Sequence, residues 1–302
     1  MVVRHQGPSL VIHTPAKLNL FLDVLGKRPD GYHSLETVMV SVGLYDSLVF
    51  REIESNQTRL NCHRCESRPT FEKQTLPTLP AGPDNLVLRA ADLLRKQTGC
   101  DQGVEITLVK RIPMQAGMGG GSSDAAATLV GLNQFWGCDL TSEKLHMLAA
   151  ELGSDVNFFL ESPIAAVCRG RGEVIEPVRL SRRFHAVVAC PSSGLSTANV
   201  FRAWASERQR HASVTSFVSQ MQRGTLSQHD IHNALERPAR ELNGDVARTL
   251  DSLRRIANGP VGMSGSGTSC FVVCRTAREA GVIAGRLSFD RSLRVFPVSS
   301  RV

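Results

Sequence analysis

The stretch PMQAGMGGGSSDAAATLVGLNQFW, residues 113–136, constrains this chain more than any other. It holds four glycines, two serines and an aspartate before it runs into alanine and apolar residues, with a fifth glycine at 131. Glycine is costly to order, so a glycine-rich loop set directly against a helical pattern needs a reason. Three devices fit the composition: a flexible linker, a dinucleotide-binding turn and a cradle for phosphate. The dinucleotide fingerprint fails, because its third glycine falls on Ser122 when counted from Gly117 and on Asp124 when counted from Gly119. A Walker A element also fails, since the Gly26–Lys27 pair is followed by Arg28. GMSGS (262–266) lacks the closing glycine of a nucleophile elbow. What survives is physical: a strand ends near Lys110, the backbone is bared, and a helix begins at about Ser122. Free N–H groups and the positive end of the helix dipole then face the loop and make an anion site. Ser122 and Ser123 can cap that helix or reach a phosphate. A linker would not run straight into an amphipathic helix, so phosphate binding is favoured over a linker.

The bulk numbers bound the class. At 302 residues, 42% hydrophobic and 21% charged, the chain has the composition of a folded soluble protein with room for one large domain or two ordinary ones. No apolar run approaches the ~18–20 residues that span a bilayer, and the N-terminus has no apolar leader core or transit-peptide character, so a cytoplasmic protein with no membrane partner is expected. The net charge is +7, but the basic residues are dispersed and tyrosine and tryptophan total four, which argues against nucleic acid and for some pull on anionic substrates. Eight cysteines are scattered along the chain. The only C-x-x-C pair, Cys62–Cys65, has no second pair at zinc spacing, so reduced thiols and no metal site are expected.

Along the chain, residues 10–60 read as strands with turns at KRPDGYH and LYDS. In KLNLFLDVL, Leu18, Leu20, Leu22 and Val24 share one face, and Lys17, Asn19, Phe21 and Asp23 share the other. Residues 62–83 read as an irregular excursion, 85–99 as a helix capped by Asn85 and stopped at Gly99, and 104–109 as a strand. A helix over 142–153 follows the one after the glycine loop. Strands are expected at 165–169, 173–178, 185–190, 261–264, 270–274 and 294–298, and helices around 197–206, 214–222, 234–242 and 246–257. This mixture predicts an α+β protein of two lobes dividing near residues 170–185.

Three widely separated stretches, TPAKLNLFLDVLGKRPDGYHSLETVM (14–39), KRIPMQAGMGGGSSDAAA (110–127) and VGMSGSGTSCFV (261–272), resemble in order the three signature motifs of the GHMP kinases. The DGYH element (30–33), with LGSDVNFFL (152–160), STANVF (196–201) and HNALERPA (232–239), is similar to the branch that works on a cytidylyl substrate. The resemblance covers most of the chain apart from roughly 62–80 and 206–213. It implies a two-lobed GHMP kinase fold, with a ribosomal-protein-like N-terminal lobe over residues 1–178 carrying the phosphate loop and catalytic residues. A ferredoxin-like C-terminal lobe over 179–302 completes the cleft. It also implies an activity: with Mg2+, the γ-phosphate of ATP passes to the 2-hydroxyl of 4-diphosphocytidyl-2-C-methyl-D-erythritol in the non-mevalonate isoprenoid route. The partners implied are ATP and that small molecule, on a monomer or weak homodimer. The rival readings are a GHMP kinase for mevalonate, homoserine or a sugar, and a noncatalytic nucleotide-binding member of the fold.

The resemblance also assigns residues. Asp155, in GSDV, matches the catalytic aspartate, although an acid in a first helical turn otherwise reads as dipole stabilisation. Lys17 matches the lysine that pairs with that aspartate and steadies the transferring phosphoryl group; alone it would read as a strand-edge residue. Asn19 is implied to hold the methylerythritol part. Tyr32 and Phe201 are implied to sandwich cytosine and His33 to bond its edge, where ordinary turn residues are the plain alternative. Gly117, Gly119, Gly120, Gly121, Ser122 and Ser123 form the implied ATP cradle, and Lys110 adds a cation near it. Asn85 and Leu86 match an adenine-side segment, with capping and core packing as competitors. Thr197 and the turn Gly265–Thr268 are expected at the cleft, the latter equally as a brace against the loop. Asn157 where proline is usual, the arginine-rich RGRGE (169–173) and MQAG before the loop depart from the pattern.

Overall fold

Two hairpin strands of unusual length organise the chain. In a computed structural model describing residues 1–65, 82–204 and 212–300, the chain divides into two compact units, each built from separate segments: 1–16, 44–112 and 119–162 in the first, 17–43, 113–118 and 163–300 in the second. Residues 66–81 of the irregular excursion, 205–211 and 301–302 lie outside the described residues.

In the first unit, β1 (Val2–Gln6) pairs antiparallel with the start of β2 (Ser9–Lys27). The second half of β3 (His33–Ile53) pairs antiparallel with β5 (Gly103–Lys110), Ser47 opposite Val109 and Ile53 opposite Gly103. β4 (Thr58–Arg64) lies parallel on the other side of β5. The expected turn at LYDS is therefore corrected: β3 runs straight through it. Asp46 is not a turn former here but an acceptor, taking backbone N–H groups from Arg111 and Ile112 at 2.5 and 2.9 Å. The irregular reading from residue 62 is likewise corrected over 62–64, which belong to β4. Four helices complete the unit: α1 (Leu86–Thr98), α2 (Gly120–Phe135), α3 (Ser142–Leu152) and α4 (Val156–Glu161). Asn85 caps α1 by accepting from Val87, and Gly99 closes it in the left-handed conformation, as its sequence signals predict.

In the second unit, β6 (Ala165–Gly170) pairs antiparallel with the first half of β3, and β7 (Val174–Pro177) pairs with β6. A four-stranded antiparallel sheet, in the order β10 (Val261–Met263), β11 (Cys270–Cys274), β8 (His185–Pro191), β12 (Leu293–Ser299), forms its floor. The helices are α5 (Thr197–Trp204), α6 (Val214–Arg223), α7 (Glu236–Leu242), α8 (Gly244–Ile256) and α9 (Ala277–Leu287). The two-residue strand β9 (His232–Asn233) lies parallel to β2 at Phe21 and Leu22. The core joins Leu22 and Val24 to Val187, Val246, Leu250, Val272 and Ile283; each such side chain contributes about 1.5–3 kcal/mol on burial. Among the described residues no helix is long and apolar enough to cross a membrane.

Both faces of β2 are buried. Lys17, Asn19 and Asp23 are at most 4% exposed, so the polar face read from the alternation is an interior polar lining rather than a solvent face. Buried polar groups must be paired, and the partners of these residues define the candidate site.

Candidate active site

In the second unit the polar face of β2 meets two glycine-bearing loops. The Lys17 ammonium donates to the Asn19 side-chain oxygen, and the Asn19 amide donates to the Thr37 hydroxyl at 2.8 Å, which passes the bond to the Phe21 carbonyl at 2.6 Å. The Asn19 backbone N–H reaches the Ser264 hydroxyl at 3.1 Å, and that hydroxyl donates to the Gly117 carbonyl at 2.8 Å. Gly117 has φ +72°, and a Cβ there would lie 2.0 Å from the Ser264 carbonyl oxygen, so no other residue fits. The Asn233 amide holds the carbonyls of Met263 and Gly265 at 2.8 and 2.9 Å. The turn from Gly265 is thus braced against the loop at Gly117, and Thr197 meets Ser266 of that turn, hydroxyl to hydroxyl, at 2.8 Å.

An aromatic group stands in the same unit. The His33 imidazole stacks on Phe201 with ring centroids 4.8 Å apart and 24° between planes, and meets Trp204 edge-on at 5.4 Å. Burial, then the charge of Lys27, holds the His33 imidazole below its ordinary value, so it is neutral at neutral pH, and its Nε2 has no hydrogen-bond partner among the described residues. Tyr32 is 51% exposed and carries the Arg171 guanidinium 4.0 Å from its ring centroid.

In the first unit the glycine loop enters α2. Gly119 occupies the cap position in the left-handed conformation, with φ +69°, and no side chain caps the helix. Its first turn carries no acid, so the free N–H groups and dipole end are unmasked. The helix starts at Gly120, two residues earlier than expected, because glycine supplies the cap geometry that serine would otherwise provide. Gly121 is exposed and Ser122 half-buried. The Ser123 hydroxyl turns inward to the Pro15 carbonyl at 2.6 Å and the Thr14 hydroxyl at 2.5 Å. Leu86 borders the start of α2: its methyl lies 3.3 Å from where a Gly121 side chain would begin. Lys110 is buried, held by Asp46 and, at 2.7 Å, by Asp124. Asp155 is half-buried at the cap position of α4, yet its side chain makes no cap bond.

The second unit therefore brings together Lys17, Asn19 and Gly117 in one network, Thr197 against Ser266, and His33 with Phe201. The first brings together Leu86, Gly119 to Ser123 and Lys110. Sequence reasoning passed over Thr37, Ser264, Asn233, Asp46 and Asp124. Thr37 and Ser264 lie inside the quoted motifs, where a hydroxyl beside a polar strand face was the available signal. The partners of Asp46 and Asn233 are too distant in the chain for any local pattern to reveal.

The GHMP kinases N terminal domain matches residues 85–162, and the GHMP kinases C terminal domain matches 205–290. A 4-diphosphocytidyl-2-C-methyl-D-erythritol kinase of Bacillus mycoides (strain KBAB4) is 37% identical over 265 residues, 87% of both chains. The crystal structure of a 4-(cytidine 5'-diphospho)-2C-methyl-D-erythritol kinase superposes with TM-score 0.77 at 32% identity, covering 97% of this chain and 100% of that one. Homoserine kinase from Cytophaga hutchinsonii, at 16% identity and TM-score 0.71 over 100% and 97%, shares the fold. The chain belongs to the GHMP kinase family, among its 4-diphosphocytidyl-2-C-methyl-D-erythritol kinases.

Proposed function

We propose that the chain transfers the γ-phosphoryl group of ATP to the 2-hydroxyl of 4-diphosphocytidyl-2-C-methyl-D-erythritol. The observation that carries the substrate class is the aromatic group of Tyr32, His33 and Phe201, one ring exposed and one imidazole neutral with a buried Nε2 that has no partner among the described residues. A pyrimidine stacks on such faces at roughly 1–3 kcal/mol per base, and a neutral imidazole both donates to and accepts from its edge. Asn19 holds the methylerythritol part, and Thr197 lines its approach. Gly117, Gly119, Gly120, Gly121 and Ser122 offer backbone to the triphosphate. Ser123 supports the cradle from beneath, and Asn85 and Leu86 border the adenine side.

Asp155 takes the proton of the attacking hydroxyl as its oxygen bonds to the γ-phosphorus and the bond to the β,γ-bridging oxygen breaks, releasing ADP. Phosphoryl transfer is loose, so positioning outweighs basicity. Lys17 steadies the charge that gathers on the transferring group. Mg2+, entering with the nucleotide, would supply charge neutralisation on the phosphoryl groups. Ser122, half-buried in the first turn of α2, would reach an ion carried in on the triphosphate, where Mg2+ commonly rests on substrate phosphates and water.

The test is ADP release from Mg-ATP with the cytidylyl substrate, beside mevalonate, homoserine and galactose. Turnover on the first alone is expected; turnover on another alone overturns the substrate assignment. In the same assay Asp155→Asn lowers kcat by about 10²–10⁴, the scale of a lost general base, with ATP affinity nearly intact. A kcat near that of the native chain removes Asp155 from the role.

A further inference from the structure

Beneath the glycine loop, three buried charges make a single network. Asp46 is fully buried, Asp124 is 3% exposed and Lys110 is 6% exposed. One oxygen of Asp46 accepts the backbone N–H groups of Arg111 and Ile112, and the other accepts the Lys110 ammonium. Three consecutive residues that leave β5 and open the loop therefore donate to one carboxylate. The ammonium also donates to Asp124, in the first turns of α2, at 2.7 Å. It lies directly under the helix start, 3.1 Å from where a Gly120 side chain would begin. The chain entering the loop and the helix leaving it are thus tied to one nitrogen.

We propose that Asp46 and Asp124 are positioning residues of the phosphate cradle, fixing its two ends through Lys110 so that the N–H groups at the start of α2 are held ready for ATP. The inference rests on the reading of residues 119–123 as that cradle. Stability alone does not explain the network, because a buried ion cluster is generally no better than well-packed apolar side chains of the same volume. What the cluster supplies is direction: each carboxylate oxygen that is engaged fixes a backbone or side-chain donor at one angle.

Its charge matters as much as its geometry. Fully ionised, two carboxylates and one ammonium would put a net negative charge under a site for phosphate. Burial pushes the Asp124 carboxyl up to about 8, against the pull of Lys110 and with the push of Asp46. Burial opposes the charge on Lys110, but the two carboxylates outweigh it and hold the ammonium above its ordinary value. Below about pH 8 the network is therefore neutral overall. The second oxygen of Asp124, buried and without a partner among the described residues, is where a proton sits at least cost. Cys62 on β4 also faces the network, its thiol raised by burial and then by the charge of Asp124. Asn85 leans on that thiol at 3.9 Å, and the Arg111 guanidinium turns away to the Ser47 hydroxyl at 3.1 Å.

The experiment is ATP titration of the full chain by calorimetry, followed by steady-state kinetics in both substrates from pH 6 to pH 10 for the native chain, Asp124→Asn and Asp46→Asn. In the native chain the KM for ATP rises about tenfold across pH 8, the scale of one added charge acting through an effective dielectric near 20. In Asp124→Asn that rise is missing. Asp46→Asn raises the KM for ATP at every pH and leaves the KM for the cytidylyl substrate where it was. Coincident pH profiles for the native chain and Asp124→Asn overturn the proposal. So does an Asp46→Asn enzyme that loses only active fraction and thermal stability with both KM values unchanged. If Asp46→Asn does not fold, Asp124→Asn decides alone, since it removes a charge without changing volume. Failure of the native chain to bind ATP at all overturns the cradle reading, and the positioning role with it.

Discussion

The proposed phosphate cradle and the aromatic group are built from opposite materials. Around the cradle the working groups are backbone, and the side chains that set them are buried and tied to one another: Asp46, Lys110 and Asp124 beneath, Ser123 turned into Thr14 and Pro15. Around the aromatic group the working side chains are rings, His33 and Phe201 half-buried and stacked on each other and Tyr32 open. Tyr32 is half exposed, and its face carries a guanidinium that is itself partly exposed. The neighbouring Arg28–Asp30 pair, at 3.0 Å, is a surface ion pair that contributes little. A triphosphate presents the same charge in every GHMP reaction, so its site gains from being rigid before binding. A cytidylyl group must be told apart from mevalonate or homoserine, and aromatic faces that stack on a base do that with few residues.

The contrast breaks most easily at Lys110. Lys110→Met leaves two buried carboxylates facing each other and costs about 3–5 kcal/mol, read as a lower urea midpoint. In an Asp46→Asn, Asp124→Asn background the same change costs far less; equal losses in both backgrounds would mean the three charges are not one unit. Tyr32→Ala is the matching cut in the other region. Its stability changes by less than about 0.5 kcal/mol because the ring is exposed, while the KM for the cytidylyl substrate rises about tenfold, the stacking of a base on an aromatic face less the cation–π contact it displaces. An unchanged KM removes the ring from the substrate site.

The two regions were also unequally legible in the sequence. The cradle announces itself because backbone chemistry needs glycine, and glycine at 117 and 119 is visible without any structure. Its support does not: Asp46 in LYDS has the composition of a turn, and nothing local says that its partners begin at residue 110. The polar face of β2 showed its alternation, but whether it met solvent or interior depended on strands and loops more than 200 positions away at Ser264. Helix α9 was readable and missed. Thr276 caps it by accepting from Glu279, and Ala280, Ile283, Ala284 and Leu287 follow at helical spacing, but two internal glycines weaken the propensity. The motif residues Tyr32, His33 and Phe201 were readable only through resemblance, since the pairing of His33 with Phe201 joins the start of β3 to a helix 168 positions on.

Arg171 offers the finest cut. It belongs to RGRGE, where this chain is richer in arginine than the family pattern, and its guanidinium covers the ring that cytosine is proposed to use. An exposed cation–π contact is worth about 0.5–1 kcal/mol, so a base that stacks on the covered face gives up that much to displace it. Arg171→Ala frees the ring, and the KM for the cytidylyl substrate falls by about two- to fivefold, with the KM for ATP unmoved. A rise in KM that weakens as salt is added would give the guanidinium a different place in the complex, on the substrate's diphosphate, where a planar fork of donors binds two phosphoryl oxygens at once.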